Sequence, residues 1–185
     1  MLLRRQFVLA SLFAAASDAR AETDPWPAFR SGAAVVIMRH AMAPGTGDPA
    51  NFRIGDCSTQ RNLSEDGRAQ ARRIGDLFRA NGTNAARVFS SQWCRCLDTA
   101  SLLRLGAVRE QPLLNSFFGK PEDGRAQTDS LRDWMTGLPT GVPVILVTHQ
   151  VNITGLTNVF PSSGELVFVT ADHTKPLSVV ATLNL

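Results

Sequence analysis

The sequence predicts an α/β protein, a three-layer sandwich around a mostly parallel central sheet. Short Val/Ile-rich runs bounded by turn residues alternate with roughly 10–18-residue stretches of helical apolar spacing. The two most apolar runs, Ala33–His40 and Val142–Thr148, lead directly into His40 and His149. In a parallel sheet both carboxyl ends face the same way, and open α/β sheets bind ligands at that edge.

The elements follow in order. A lead rich in Pro and Trp precedes the strand Ala33–His40, and the Gly/Pro-rich loop 43–49 follows it. Ser64 is placed to cap a helix whose apolar positions Ala71, Ile74, Leu77 and Phe78 recur until Asn81-Gly82 ends it. Arg87–Ser90 reads as a short strand, Trp93–Leu105 as a second helix and Ala126–Leu138 as a third, bounded by Pro139. Val142–Thr148 is the second apolar strand, and a short helical turn, Val151–Val159, comes next. Glu165–Thr170 and Leu177–Leu183 are β-like.

A length of 185 residues suits one domain with a sizeable core, and 44% hydrophobic with 19% charged residues describes a globular chain rather than a disordered one. Residues 1–21 read as an export signal: Arg4-Arg5, an apolar core Phe7–Ala16, and Ala19-Arg20-Ala21 as a small-x-small cleavage site. That core is too short to span a bilayer, which takes about 20 apolar residues. Arg4-Arg5-Gln6-Phe7 also resembles a twin-arginine signal, which leaves the export route open. Residues 22–185 then form the single mature domain, in the periplasm or secreted. The formal charge of +3 belongs largely to the signal, which holds three arginines and one aspartate; the remainder is near +1. No general field for nucleic acid remains, so affinity for an anion has to be local.

Cys57, Cys94 and Cys96 all lie in the mature region. An exported chain meets an oxidising compartment, so one disulfide and one free thiol are expected. Cys57 pairs with Cys94 or Cys96, since a 94–96 bridge closes a very small ring. No cluster of Cys and His has convincing zinc spacing, and neither a metal nor another cofactor is expected.

Arg39-His40 at one strand end and His149 at another put a permanent cation and two imidazoles at one sheet edge. The strand Arg87–Ser90 ends at the same edge, placing Ser91 and Arg95 near the start of the next helix, where free N–H groups favour an anion. Such a set suits a phosphate with a histidine nucleophile. The glycine-rich loop after His40 is no nucleotide P-loop, because no Gly-Lys-Ser/Thr follows. Arg61 in the intervening loop is a substrate-binding candidate, as are Ser91 and Gln150, although Ser91 and Gln150 equally suit helix starts. Trp26, Trp93 and Trp134 suit packing better than a sugar platform, and His173 beside Asp172 reads as surface loop.

These motifs together resemble the histidine phosphatase superfamily in its phosphoglycerate-mutase-like branch. Arg39-His40 is similar to the family's Arg-His motif, with Ala41 where Gly is usual. Leu63-Ser64-Glu65-Asp66-Gly67-Arg68-Ala69-Gln70-Ala71 resembles its Leu-Thr-x-x-Gly-x-x-Gln-Ala helix start. The segment from Ser90 through Arg95 to Thr99-Ala100 resembles Ser-x-x-x-x-Arg-x-x-x-Thr-Ala, and Val147-Thr148-His149 its second-histidine motif. Gln60-Arg61-Asn62-Leu63-Ser64 and Thr148-His149-Gln150-Val151-Asn152 are most similar to small exported phosphatases of the lipopolysaccharide core heptose phosphate type.

The resemblance implies that His40 attacks phosphorus to form phosphohistidine, that Arg39, Arg95 and His149 clamp the phosphoryl oxygens, and that no metal takes part. A backbone carbonyl is then expected to hold the other N–H of His40. The implied substrate is a phosphorylated small molecule or an envelope glycan. One departure stands out: Asn115, ahead of Phe117-Phe118-Gly119, occupies the place of the family's acidic proton donor. Asn115 thus becomes a binding candidate, and Glu122 or Asp123 from the following loop become the general-acid candidates. The departure also fits a phosphohistidine or phosphoramidate phosphatase, whose nitrogen leaving group needs less acid help. It is the feature that supports a phosphate-binding module with weak turnover, against which the retained histidines and arginines count.

Overall fold

The computed structural model describes residues 24–170 and 177–185, so the proposed signal segment and His173 lie outside the described residues. Helix α1 (Trp26–Arg30) leads into β1 (Ala34–Arg39). Then come α2 (Glu65–Ala80), β2 (Arg87–Ser90), α3 (Cys94–Leu103) and β3 (Val108–Glu110). The second half contains α4 (Gly124–Thr136), β4 (Val144–Thr148), α5 (Gln150–Thr157), β5 (Leu166–Thr170) and β6 (Val179–Leu183).

Among the described residues six strands form one sheet in the order β3-β2-β4-β1-β5-β6. The first four run parallel, β5 pairs antiparallel with β1, and β6 antiparallel with β5. Period-two alternation in β1 splits its side chains between two cores. Val36 and Met38 join Trp26, Phe78 and Leu103 on the α1–α2–α3 face, while Val35 and Ile37 join Leu131, Met135 and Ile153 on the α4–α5 face. The central strands are buried on both faces, which is why they read as continuous apolar runs.

Register sets the site. Arg39 pairs with Thr148 and Ser90 with Val147, so His40, His149 and Ser91 leave three adjacent strands at one level. The backbone N–H of His40 donates to the Thr148 carbonyl (3.0 Å) and that of Ser91 to the Val147 carbonyl (2.9 Å).

The helix after the first loop starts as its sequence indicates: the Ser64 hydroxyl accepts from the Gly67 N–H at 3.0 Å. Trp93 is the residue before α3 rather than its first turn, and Arg104 ends that helix in a left-handed conformation (φ 55°). Helix α1 and strand β3 have no counterpart in the sequence expectations. At five and three residues they are too short for periodicity to register.

Candidate active site

His40 and His149 face each other with ring centroids 5.6 Å apart and planes at 69°. Both rings are almost fully buried (2% and 4% exposed). The Nδ1 of His40 lies 2.8 Å from the Ala41 carbonyl, which can only accept, so Nδ1 carries the proton. Its Nε2 is therefore the bare nitrogen, and it accepts from Arg95 Nε at 3.2 Å. Burial lowers the His40 pKa to about 3; the Ala41 hydrogen bond opposes this, and Arg95, Arg39 and Arg61 add to it. Burial likewise takes His149 well below the usual imidazole range, helped by His40 and the same arginines.

The proton on His149 follows from its neighbours. Asn115 Oδ1 accepts from the Gln92 N–H (2.9 Å) and from the Ser91 hydroxyl (3.2 Å). With its hydrogen committed there, Ser91 Oγ accepts from His149 Nε2 at 2.8 Å, which leaves His149 Nδ1 facing Arg95 Nη2 at 3.5 Å. Ser91 and Asn115 were substrate-binding candidates, yet neither lines the cavity between the histidines. Their polar atoms are spent on each other, on Gln92 and on His149, so the pair orients His149 from behind.

Arg95 comes from the first turn of α3 and is 3% exposed. Its Nη1 and Nη2 donate to the two oxygens of Asp48 at 2.7 and 3.1 Å. Arg39 is held through Nη1 on the Pro161 carbonyl (3.0 Å), while its Nε is buried without a hydrogen-bond partner. Arg61 donates from Nε to the Gly47 carbonyl (2.8 Å) and from Nη1 to the Ala43 carbonyl. Burial, with Arg95 next, lowers the pKa of both Arg39 and Arg61 from the ordinary guanidinium value.

All these cations border a cavity of about 760 Å³ whose walls also include Asp48, Phe52, Trp93, Phe117 and Phe118. Trp93, stacked on Phe52 at 4.8 Å, belongs to the α1–α2–α3 core and also lines the cavity, while Trp26 and Trp134 pack in or against the two cores. Of the two general-acid candidates, Asp123 lines the cavity from a short 3-10 turn and Glu122 does not. Gln150 lines it as well, its amide donating to Thr154 Oγ1 at 3.0 Å.

Cys57 is bonded to Cys94, which ties the loop after β1 to the residue before Arg95. Cys96 is the free thiol, fully buried with its pKa pushed up to about 12 by that burial. Among the described residues no group of three His, Cys, Asp or Glu is placed to hold a metal, and no helix is long and apolar enough to cross a membrane. Sequence reasoning missed Asp48. Its only signal was an acidic residue between Gly47 and Pro49 in the loop that leaves the strand bearing His40.

Fold and site together define a phosphoglycerate-mutase-like α/β protein with two histidines and three arginines lining one cavity. The sequence pattern of the histidine phosphatase superfamily (branch 1) matches residues 35–136. The chain belongs to that superfamily. Among solved structures it is similar to the protein histidine phosphatase SixA complexed with tungstate, at 18% identity and a TM-score of 0.57, covering 82% of this chain and 96% of that one. A mycobacterial glucosyl-3-phosphoglycerate phosphatase is 17% identical, with a TM-score of 0.52 and coverage of 79% and 96%. A Thermus thermophilus protein, TTHB049, is 18% identical, with a TM-score of 0.58 and coverage of 82% and 99%. No curated protein matches the chain by sequence.

Proposed function

We propose that this protein hydrolyses a phosphomonoester through a phosphohistidine on His40, without a metal. The observation that carries the reading is the bare, neutral Nε2 of His40, aimed into a cation-lined cavity by the Ala41 carbonyl. In the first step Nε2 bonds to phosphorus, the ester P–O bond breaks, and the leaving oxygen takes a proton. Water then attacks the phosphohistidine, the P–N bond breaks, and inorganic phosphate leaves. Arg95 Nε, which rests on His40 Nε2, has to turn its N–H to a phosphoryl oxygen before attack. Arg39 brings an unpaired Nε–H, and His149 brings Nδ1 once the phosphate charge restores its second proton.

Asp123 is the carboxyl group available at the cavity wall for the leaving oxygen. Gln150 and Arg61 border the remainder of the substrate. The aromatic walls and the disulfide fit an exported enzyme acting on a phosphorylated sugar of the envelope, as the heptose phosphate resemblance suggests, with residues 1–21 as its export signal. The engagement of Asn115 with Ser91 and Gln92 favours a second reading, a phosphohistidine or phosphoramidate phosphatase. In it the leaving nitrogen needs no acid at that position.

Turnover of aryl phosphate, alkyl phosphate and phosphoramidate by wild type and His40→Ala tests the proposal. Wild-type turnover that His40→Ala reduces by at least about 10³-fold is expected. Comparable turnover by the two proteins overturns it, and phosphate binding without turnover leaves a binding module. A preference of about 10²-fold or more for aryl over alkyl ester signals missing acid assistance. Near-equal rates, lost in Asp123→Asn, identify Asp123 as the acid.

A further inference from the structure

Asp48 arrives on the loop after β1, turned inward past Gly47, whose φ of +70° suits glycine. Its carboxylate is saturated. Oδ1 accepts from Arg95 Nη1 (2.7 Å) and the Arg61 backbone N–H (3.2 Å). Oδ2 accepts from Arg95 Nη2 (3.1 Å) and the Trp93 indole N–H (3.0 Å). A carboxylate has about four acceptor positions, and all are filled here. A proton on either oxygen would set donor against donor, so Asp48 cannot stand in for the missing acid.

The placement on Arg95 is more telling. Asp48 takes the Nη1–Nη2 end of the guanidinium and leaves the Nε–Nη2 edge turned to the two histidines. On that edge Nε lies 3.2 Å from His40 Nε2, and Nη2 lies 3.5 Å from His149 Nδ1. A phosphoryl group between the two histidines would meet two parallel N–H groups there. We propose that Asp48 is the positioning residue of this site, clamping one end of Arg95 so that the Nε–Nη2 edge is presented to the transferring phosphoryl group. The Arg61 bond to the Gly47 carbonyl and the Cys57–Cys94 bridge brace the loop that carries it. The cavity lining sets Arg39, Arg61, Arg95 and Lys120 against Asp48 and Asp123, a formal charge of +2 before any imidazole is protonated, which favours an anionic ligand.

The inference rests on the phosphatase reading for the identity of the anion. Its rival is that Asp48 merely stands in the phosphate's own place until substrate arrives. Asp48→Asn and Asp48→Ala separate the two, through kcat and KM on an aryl phosphate and through calorimetric affinities for orthophosphate and orthovanadate. Positioning predicts a fall in kcat of about 10²-fold, since small misplacements cost that much, with KM within about threefold. It also predicts at least a tenfold fall in the vanadate-to-phosphate affinity ratio, because vanadate reports complementarity to the transition state. A kcat within about threefold of wild type, or tighter orthophosphate binding with kcat retained, overturns the claim. Should both variants fail to fold, Asp48→Glu keeps the charge on a longer arm and is judged by the same two numbers. Wild type that binds orthophosphate without turnover removes the phosphatase reading alone, and the affinity ratio still decides for Asp48. Wild type that neither binds nor turns over overturns both.

Discussion

At the scale of single residues, burial beside three arginines keeps His40 and His149 neutral, and that neutrality carries a cost in acid. An unfolded histidine titrates near 6.5, whereas folded His40 titrates at about 3 and His149 well below the usual value. Below about pH 6.5 the unfolded chain takes up protons that the folded chain refuses. For His40 that stability is therefore complete above about pH 6.5 and is lost as pH falls toward 3, at up to about 1.4 kcal/mol per pH unit, and His149 adds to the loss in the same direction. Asp48 acts in the same direction further down. Burial alone would raise its pKa, but hydrogen bonds from Arg95 and Trp93 outweigh that and hold it below the ordinary carboxylate value. Its contribution is present above that ordinary value and disappears as pH falls through the lowered one. The urea midpoint in phosphate-free buffer should accordingly drop between pH 7.5 and 5, with a shallower slope in His40→Asn. A midpoint that stays level would contradict two neutral buried imidazoles. At this scale Arg39, His40, Arg95 and His149 were legible because strand ends and a helix start fix where they meet. Ser91, Asn115 and Asp48 were not, since their roles depend on which way a side chain turns within a loop.

Two elements hold the site in register, and each yields a test. The Cys57–Cys94 bridge spans 37 residues and joins the loop bearing Asp48 and Arg61 to the start of α3. A loop of that size gives the bridge about 3–4 kcal/mol of stabilisation by chain entropy. Cys57→Ser with Cys94→Ser should lose about that much in chemical denaturation. It should also lose turnover beyond the stability effect, because the same bridge braces Asp48 against Arg95. Helix α2 supplies the second test. A Cβ on Gly67 would overlap the Met42 carbonyl oxygen, two residues beyond His40. Gly67→Ala should therefore cost about 1–3 kcal/mol, measured by urea unfolding, whereas an unchanged midpoint would deny the close approach. The sequence showed α2 and its Ser64 cap through spacing and capping chemistry. It could not show why Gly67 is glycine, because the neighbour it touches lies 25 residues earlier and comes close only in the fold.

For the whole molecule, a sheet order of β3-β2-β4-β1-β5-β6 places the two apolar strands side by side in its middle, and their histidines share one crevice. Alternating strand and helix patterns sufficed for the α/β class and for the parallel half. The antiparallel attachment of β5 and β6 was not readable, since β-like runs carry no direction in their composition. Near-neutral charge outside residues 1–21 and a locally cationic cavity both support the proposed phosphorylated small-molecule substrate. The proposed chemistry converges on one bond, the one between His40 Nε2 and phosphorus. Rapid mixing with a 32P-labelled aryl phosphate, followed by a denaturing quench and an assay for acid-labile, base-stable label on the protein, tests that bond directly. Label on wild type and none on His40→Ala is the predicted result. Label persisting in His40→Ala, or wild-type turnover without any phosphoenzyme under conditions that slow its hydrolysis, would contradict it.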